Sequence, residues 1–263
     1  MHWLTHAPLT RLEGPLDDHD VVQRVLEEAR LRPDGAPWVY TNMVSSIDGA
    51  ATVKGLSGDL GGPADSLVFT ALRATADVII AGAETVRAEQ YRLPRTPEGA
   101  LGEWRAQNAT TNRPRLCIVT RQGAIPEAAR LVAELPSPPT ADPLLRPIIA
   151  TTVDAPTLAD ERFDVVRVSP GSVDLAALIG HLKQLGARRI LCEGGPVLLG
   201  QFAAAKLIDE WNFTVAGAIA SGRSKRAVEG DEELAMPIRL HRTIIHDDGT
   251  LLLRYLRPVT AGT

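Results

Sequence analysis

The sequence predicts an α/β fold of three layers, α/β/α, around a largely parallel sheet that ends in an antiparallel hairpin. Three observations predict it. Short apolar runs alternate with helical stretches through the middle of the chain, the pattern of a parallel sheet covered on both faces. A helix opens at Pro63, where proline suits the first helical position. Near the end, two apolar runs flank Asp248-Gly249, the short-range signature of a hairpin.

In order, residues Asp18 to Arg32 place Val21, Val22, Val25, Leu26 and Ala29 on one helical face behind aspartates suited to a first turn. This docking helix belongs to an N-terminal extension, residues 1–37, ahead of a main domain at 38–263. "WVYTNMVSS" reads as a strand and runs into a glycine-rich loop from Asp48 to Gly62. Further strands are expected at 77–82, 115–120, 147–152, 164–169 and 188–194, with a helix at 173–186. "EWNFTVAG" alternates Trp211, Phe213 and Val215 as a strand does, and the hairpin follows. The Pro- and Ala-rich stretches 94–114 and 135–147 read as surface loops.

A chain of 263 residues with 44% hydrophobic content has the material for one large domain or two small ones. Its net charge of −4 is interspersed, without the clustered positive field that nucleic acid demands, so no nucleic-acid partner is expected. No apolar run approaches the ~20 residues of a membrane span, and the start lacks a secretion signal, so no membrane partner and a cytoplasmic location are expected. Cys117 and Cys192 each sit inside an apolar run and read as buried and reduced. No metal site is expected, because His2 and His6 have helical spacing but no third ligand.

Three strand-to-helix loops carry the chemistry, since ligands of open α/β sheets gather beyond the carboxyl ends of the strands. In "RRILCEGGPVLLGQF" a strand ends at Glu193, Gly194 and Gly195 allow close approach, and a helix starts whose free N–H groups attract phosphate; an ordinary glycine turn is the alternative. "IIAGAETVRAE", with Gly82 at its turn, is a second phosphate-friendly helix start. In the third loop Asp48 either orients a substrate or caps the turn. Arg73, Arg92 and Arg95 could converge on an anionic substrate, and the basic run Ser221 to Arg226 on a ribose phosphate; for each, a solvated surface role is the alternative.

Taken in order, "NMVSSIDGAATVKGLSG", "LRATADVIIAGAETVRAEQYRLPR" and "RRILCEGGPVLLGQFAAAKLIDEW" resemble the reductase domain of the bifunctional riboflavin-biosynthesis deaminase–reductase, from about Trp38 to about Arg257. The resemblance implies a dihydrofolate-reductase-like fold and hydride transfer from NADPH to a pyrimidine carrying a phosphoribosylamino group. It implies Glu193, Arg73 and Arg95, or Arg92, on the substrate side. It implies Val44, Asp59, Thr85, Glu89 and the run Gly195, Pro196, Val197, Leu198, Leu199, Gly200 and Gln201 on the cofactor side, with Asp59 standing where a tryptophan is common. Relatives are often homodimers, and Trp211, Phe213 and Tyr255 are candidates for a subunit contact.

Two departures matter. The zinc-deaminase motifs are missing from residues 1–37, and Asn42 stands where the reductase strand usually has a substrate-side lysine. An amide does not replace that charge. Two alternatives therefore remain: a dihydrofolate-reductase analogue acting on a pterin-like ring, and a non-catalytic NADPH- or flavin-binding protein.

Overall fold

The computed structural model describes residues 16–123, 130–139, 146–156 and 160–258. His2 and His6 lie outside them, and among the described residues no group of three or more His, Cys, Asp or Glu could hold a metal. No helix among the described residues is long and apolar enough to cross a membrane.

The elements run α1 (Asp18–Glu27), β1 (Trp38–Ser46), α2 (Pro63–Thr75), β2 (Val78–Gly82), α3 (Ala83–Ala88), α4 (Gly99–Asn108), β3 (Arg115–Val119), α5 (Arg130–Glu134), β4 (Ile148–Thr151), β5 (Asp164–Arg167), α6 (Leu175–Gln184), β6 (Arg189–Cys192), α7 (Pro196–Ala204), β7 (Glu210–Ala216), β8 (Arg239–Ile245) and β9 (Leu251–Leu256). Nine strands among the described residues form one sheet in the order β5-β4-β3-β2-β6-β1-β7-β9-β8. Pairing is parallel up to β7, and β9 and β8 close the sheet antiparallel, as the Asp248-Gly249 turn predicts.

Each face has its own apolar layer. Tyr40, Ala71, Ile79, Ile118 and Leu191 pack on the α1/α2 side, and Val39, Ile80, Cys117, Ile190 and Cys192 pack under α6 and α7. The period-2 alternation of β1, β2, β3 and β6 sends neighbouring residues to opposite layers. Both cysteines are free, fully buried and pushed up to about 12 by that burial.

Three sequence expectations are corrected. The first helix ends at Glu27 rather than Arg32: Glu28 caps it, its amide donating to the Arg24 and Leu26 carbonyls, which tightens and closes the last turn; Ala29 falls beyond it. Its start is a reciprocal cap: Asp17 accepts from the Asp20 amide and Asp20 from the Asp17 amide. The stretch 94–114 is not merely loop, since it contains α4, whose buried Arg105 donates to the Ala74 and Ala76 carbonyls. Those carbonyls at and just beyond the end of α2 lack helical partners, which the guanidinium supplies. Trp211 also departs from its expected role, lying 5% exposed in the α6/α7 core with Tyr255 packed against it.

Candidate active site

Two helix starts meet at the carboxyl ends of β2 and β6, which are neighbours in the sheet. The Gly82 amide donates to the Gly194 carbonyl at 2.7 Å. A Cβ on Gly195 would lie 2.5 Å from Thr85 Oγ1, so this approach requires glycine. Gly194 has φ +83° and the Gly194–Gly195 peptide is cis.

Gly195 caps α7 without a side chain, and Pro196 has no N–H. The first amides of the helix, Val197 and Leu198, lack intrahelical acceptors, and the dipole adds partial positive charge there. Leu198 and Leu199 are buried core residues, Gln201 is exposed, and a Cβ on Gly200 would meet the Glu229 carbonyl at 1.7 Å. Of the run Gly195 to Gln201, the part open to a dinucleotide is thus the backbone of Gly195 to Leu198, while Leu199 and Gly200 serve packing.

On the α2 face of the sheet these loops adjoin a cluster of polar side chains. Tyr40 faces α2, so the alternation along β1 puts Asn42 and Val44 on that face; Leu191 does the same for Glu193. The Glu193 carboxylate is buried and accepts from Arg73 Nε and Nη2 at 2.6 Å each and from Tyr91 Oη at 2.7 Å. The Arg73 guanidinium lies 4.2 Å from the Phe69 ring centre and 5.4 Å from that of Tyr91. Burial pulls Arg73 down, but the Glu193 carboxylate outweighs it and holds the guanidinium above its ordinary value. Burial and the same carboxylate raise the Tyr91 hydroxyl well above its ordinary value, so it stays a proton donor.

The other flank is Asn42, Asp65 and Thr214. Asn42 is 8% exposed, and its Oδ1 has no hydrogen-bond partner among the described residues. Asp65, in the first turn of α2, is hydrogen-bonded to the Asn42 side chain and accepts from Thr214 Oγ1 at 2.5 Å. Burial raises its carboxyl above the ordinary value, and the two hydrogen bonds only partly oppose this.

The remaining sequence candidates are placed elsewhere or used differently. Asp48 accepts from Ser46 Oγ and from the Ala220 and Ser221 amides, which draws it down to about 2. Glu89 accepts from Ser57 N and Oγ at 3.0 and 2.9 Å, tying the glycine-rich loop to the end of α3. Val44 packs with Leu60 and Ala216 beneath that loop, and Asp59 is exposed on it. Arg92 pairs with Glu134 at 3.4 Å. Arg95 is exposed, with no ion pair among the described residues. In the basic run, Ser224 bonds Thr52 while Arg223, Lys225 and Arg226 are exposed.

Sequence reasoning missed Tyr91, Asp65 and Thr214. A signal for one existed: Asp65, Phe69 and Arg73 recur at i, i+4 and i+8, a polar-ended stripe on a helix face that packing alone would make apolar. Tyr91 and Thr214 carry no such periodic mark.

Residues 37–251 match the family model described as the RibD C-terminal domain. The riboflavin biosynthesis protein RibD of Chlamydia muridarum is 30% identical over 185 residues, 68% of this chain but only 46% of that protein. The chain therefore spans about half the length of that relative. The 2,5-diamino-6-ribosylamino-4(3H)-pyrimidinone 5′-phosphate reductase of Methanothermobacter thermautotrophicus is 28% identical over 211 residues, covering 78% of this chain and 90% of that one. A pyrimidine reductase-like protein of Corynebacterium diphtheriae superposes with a TM-score of 0.76 at 22% identity, covering 91% and 99% of the two chains. That likeness shows the fold.

Proposed function

The chain belongs to the family of the RibD C-terminal domain, and on that premise we propose that it is a reductase of riboflavin biosynthesis, passing a hydride from NADPH to a ribosylaminopyrimidine 5′-phosphate. One observation carries the reading: Glu193 and the Gly194-Gly195 loop are consecutive, the carboxylate on the α2 face and the loop opening α7. A substrate held at the first lies against a cofactor held at the second.

The residues present fit a dinucleotide. The contact of Gly195 with Thr85 leaves no room for a side chain, and two uncapped helix starts offer amides to a pyrophosphate. Gly82, Thr85, Gly195 and the Val197 and Leu198 amides would hold it, and when bound it supplies the hydride. The chain's own work is positioning. Arg73 and Tyr91 fix the position of the Glu193 carboxylate, whose remaining lone pairs can accept from substrate hydroxyl or ring N–H groups. Exposed Arg95 is the guanidinium free to bind the substrate phosphate. In this reading the glycine-rich loop, tied by Ser57 to Glu89, shields the bound substrate from water. A homodimer, paired through the free edge of β8, belongs to the same reading, and sedimentation velocity tests it.

The experiment is NADPH oxidation by the purified protein with the deaminated phosphoribosylaminopyrimidine and, separately, with dihydrofolate. Turnover of the first, with KM raised at least ~10-fold in Arg95→Ala, supports the proposal; turnover of neither overturns it. One observation favours the second reading, a pterin-like substrate: Asn42 and Asp65 present an amide beside a carboxyl where the family has a lysine, a pair suited to the amidine edge of an aminopyrimidine ring. Turnover of dihydrofolate alone, lost in Asp65→Ala, would establish that reading instead.

A further inference from the structure

A second polar cluster lies under the end of α1, away from the glycine loops. Glu28 and Arg30 from α1 and its tail, Arg242 from β8, Arg254 from β9, Glu210 from β7 and Arg189 from β6 line a void of about 310 Å³ including its mouth. Its enclosed part is small, so an occupant larger than water reaches into the mouth. Arg242 and Arg254 stand opposite each other in the β8–β9 register, and the buried guanidinium groups are only 6% and 1% exposed.

The charges here do not balance. Arg254 is bidentate to Glu210, at 2.9 and 2.7 Å. Glu28 Oε2 sits 3.1 Å from Arg242 Nε and 3.2 Å from Arg254 Nη1, without hydrogen-bond alignment. Two carboxylates thus face four guanidinium groups. Asp77 is shared by Arg189 and by a fifth arginine, Arg105, which leaves the excess of two positive charges unchanged. Among the described residues, Arg30 Nε, Arg189 Nε, Arg242 Nε and Nη1 and Arg254 Nη1 are buried without a hydrogen-bond partner, as is Glu28 Oε2, so the N–H groups not already beside a carboxylate are Arg30 Nε, Arg189 Nε and Arg242 Nη1. His241, 4.0 Å from Glu28, has its pKa lowered by burial and by Arg254, so it adds no charge near neutrality.

Buried charge is ordinarily paired and buried N–H groups ordinarily bonded. We propose that this void is a binding site for a small inorganic anion of chloride size, held by Arg242 and Arg254 with Arg30 at its mouth. The anion accepts from the unpaired N–H groups and cancels part of the excess charge. It also joins the end of α1 to the terminal hairpin, so its binding is felt as stability of that corner of the fold. Nothing in this site depends on the reductase reading.

The test uses the full chain in chloride-free gluconate buffer, titrated with chloride at constant ionic strength, reading the thermal midpoint and the fluorescence of Trp38. That indole donates to Glu210 at 3.1 Å and lies 5.9 Å from the Arg30 guanidinium. The expected result is a saturable fluorescence change and a midpoint rise of about 3 °C at ~10-fold excess over Kd, with the chloride increment lost in Arg242→Met. If that variant does not fold, Arg30→Gln, at the more exposed mouth, is expected to shift the chloride midpoint about 10-fold. Equal melting in gluconate and chloride overturns the proposal, as does a chloride response that survives both substitutions unchanged.

Discussion

Arg73 Nε and Nη2 each lie 2.6 Å from a Glu193 oxygen, a bidentate pair between residues 120 positions apart in sequence. Breaking it by Arg73→Ala leaves a buried carboxylate with only Tyr91, so a loss of about 3 kcal/mol in urea unfolding is expected. Glu193→Gln keeps the shape but turns an amide NH2 toward the guanidinium, so one arm of the bidentate pair is lost. A stability loss of about 1–2 kcal/mol is expected, while NADPH oxidation by the folded protein falls by roughly 100-fold or more; activity that falls only in step with the folded fraction would show Glu193 to be only structural.

Gly195→Ala sets a methyl 2.5 Å from Thr85 Oγ1. Cofactor affinity, measured by nucleotide titration, is expected to weaken about 10-fold, because the two helix starts must part. Thr85→Ala in the same chain removes the clashing atom and should recover any accompanying loss of melting midpoint, while affinity stays weakened because Thr85 is itself a proposed cofactor contact.

Gly200→Ala offers no such relief. Its methyl would meet the Glu229 main-chain carbonyl at 1.7 Å, so α7 and the crossing segment must separate. A destabilisation of about 3 kcal/mol in denaturant melts is expected, and no side-chain trimming at 229 should restore it.

Asp65 gives a pH dependence with a definite sign. Its folded pKa is raised by burial, so the folded state keeps a proton that the unfolded chain has lost. Its contribution to stability is therefore present below the unfolded pKa of about 3.9 and falls as pH rises through the folded value. Asp65→Asn should flatten the melting midpoint between those two values and raise it at pH 7 by about 2 °C. A midpoint that drops at pH 7 would show the carboxylate hydrogen bonds to outweigh its burial cost.

Most of the frame was legible along the chain. The strands predicted at 77–82, 115–120, 147–152, 164–169 and 188–194 appear as β2 to β6, somewhat trimmed, because alternation and turn chemistry are local properties. Helix α4 was not legible, since its surroundings are rich in proline and its buried polar anchor, Arg105, looks like a surface residue in sequence. Asp48 was legible only as two alternatives, and the donors it meets, the Ala220 and Ser221 amides of the segment after β7, were not legible because they lie far along the chain.

By itself the sequence determined which residues end strands, where glycines let helix starts approach closely, and that an acid precedes one such start. Tertiary structure decided who meets whom. Strand β6, late in the chain, inserts between β1 and β2, so that Glu193 comes level with Asn42 and within reach of Arg73 and Tyr91. A period of two or 3.6 residues tells which face a side chain takes. It carries no record of which distant strand will lie beside it, because that depends on burying both faces of the whole sheet at once.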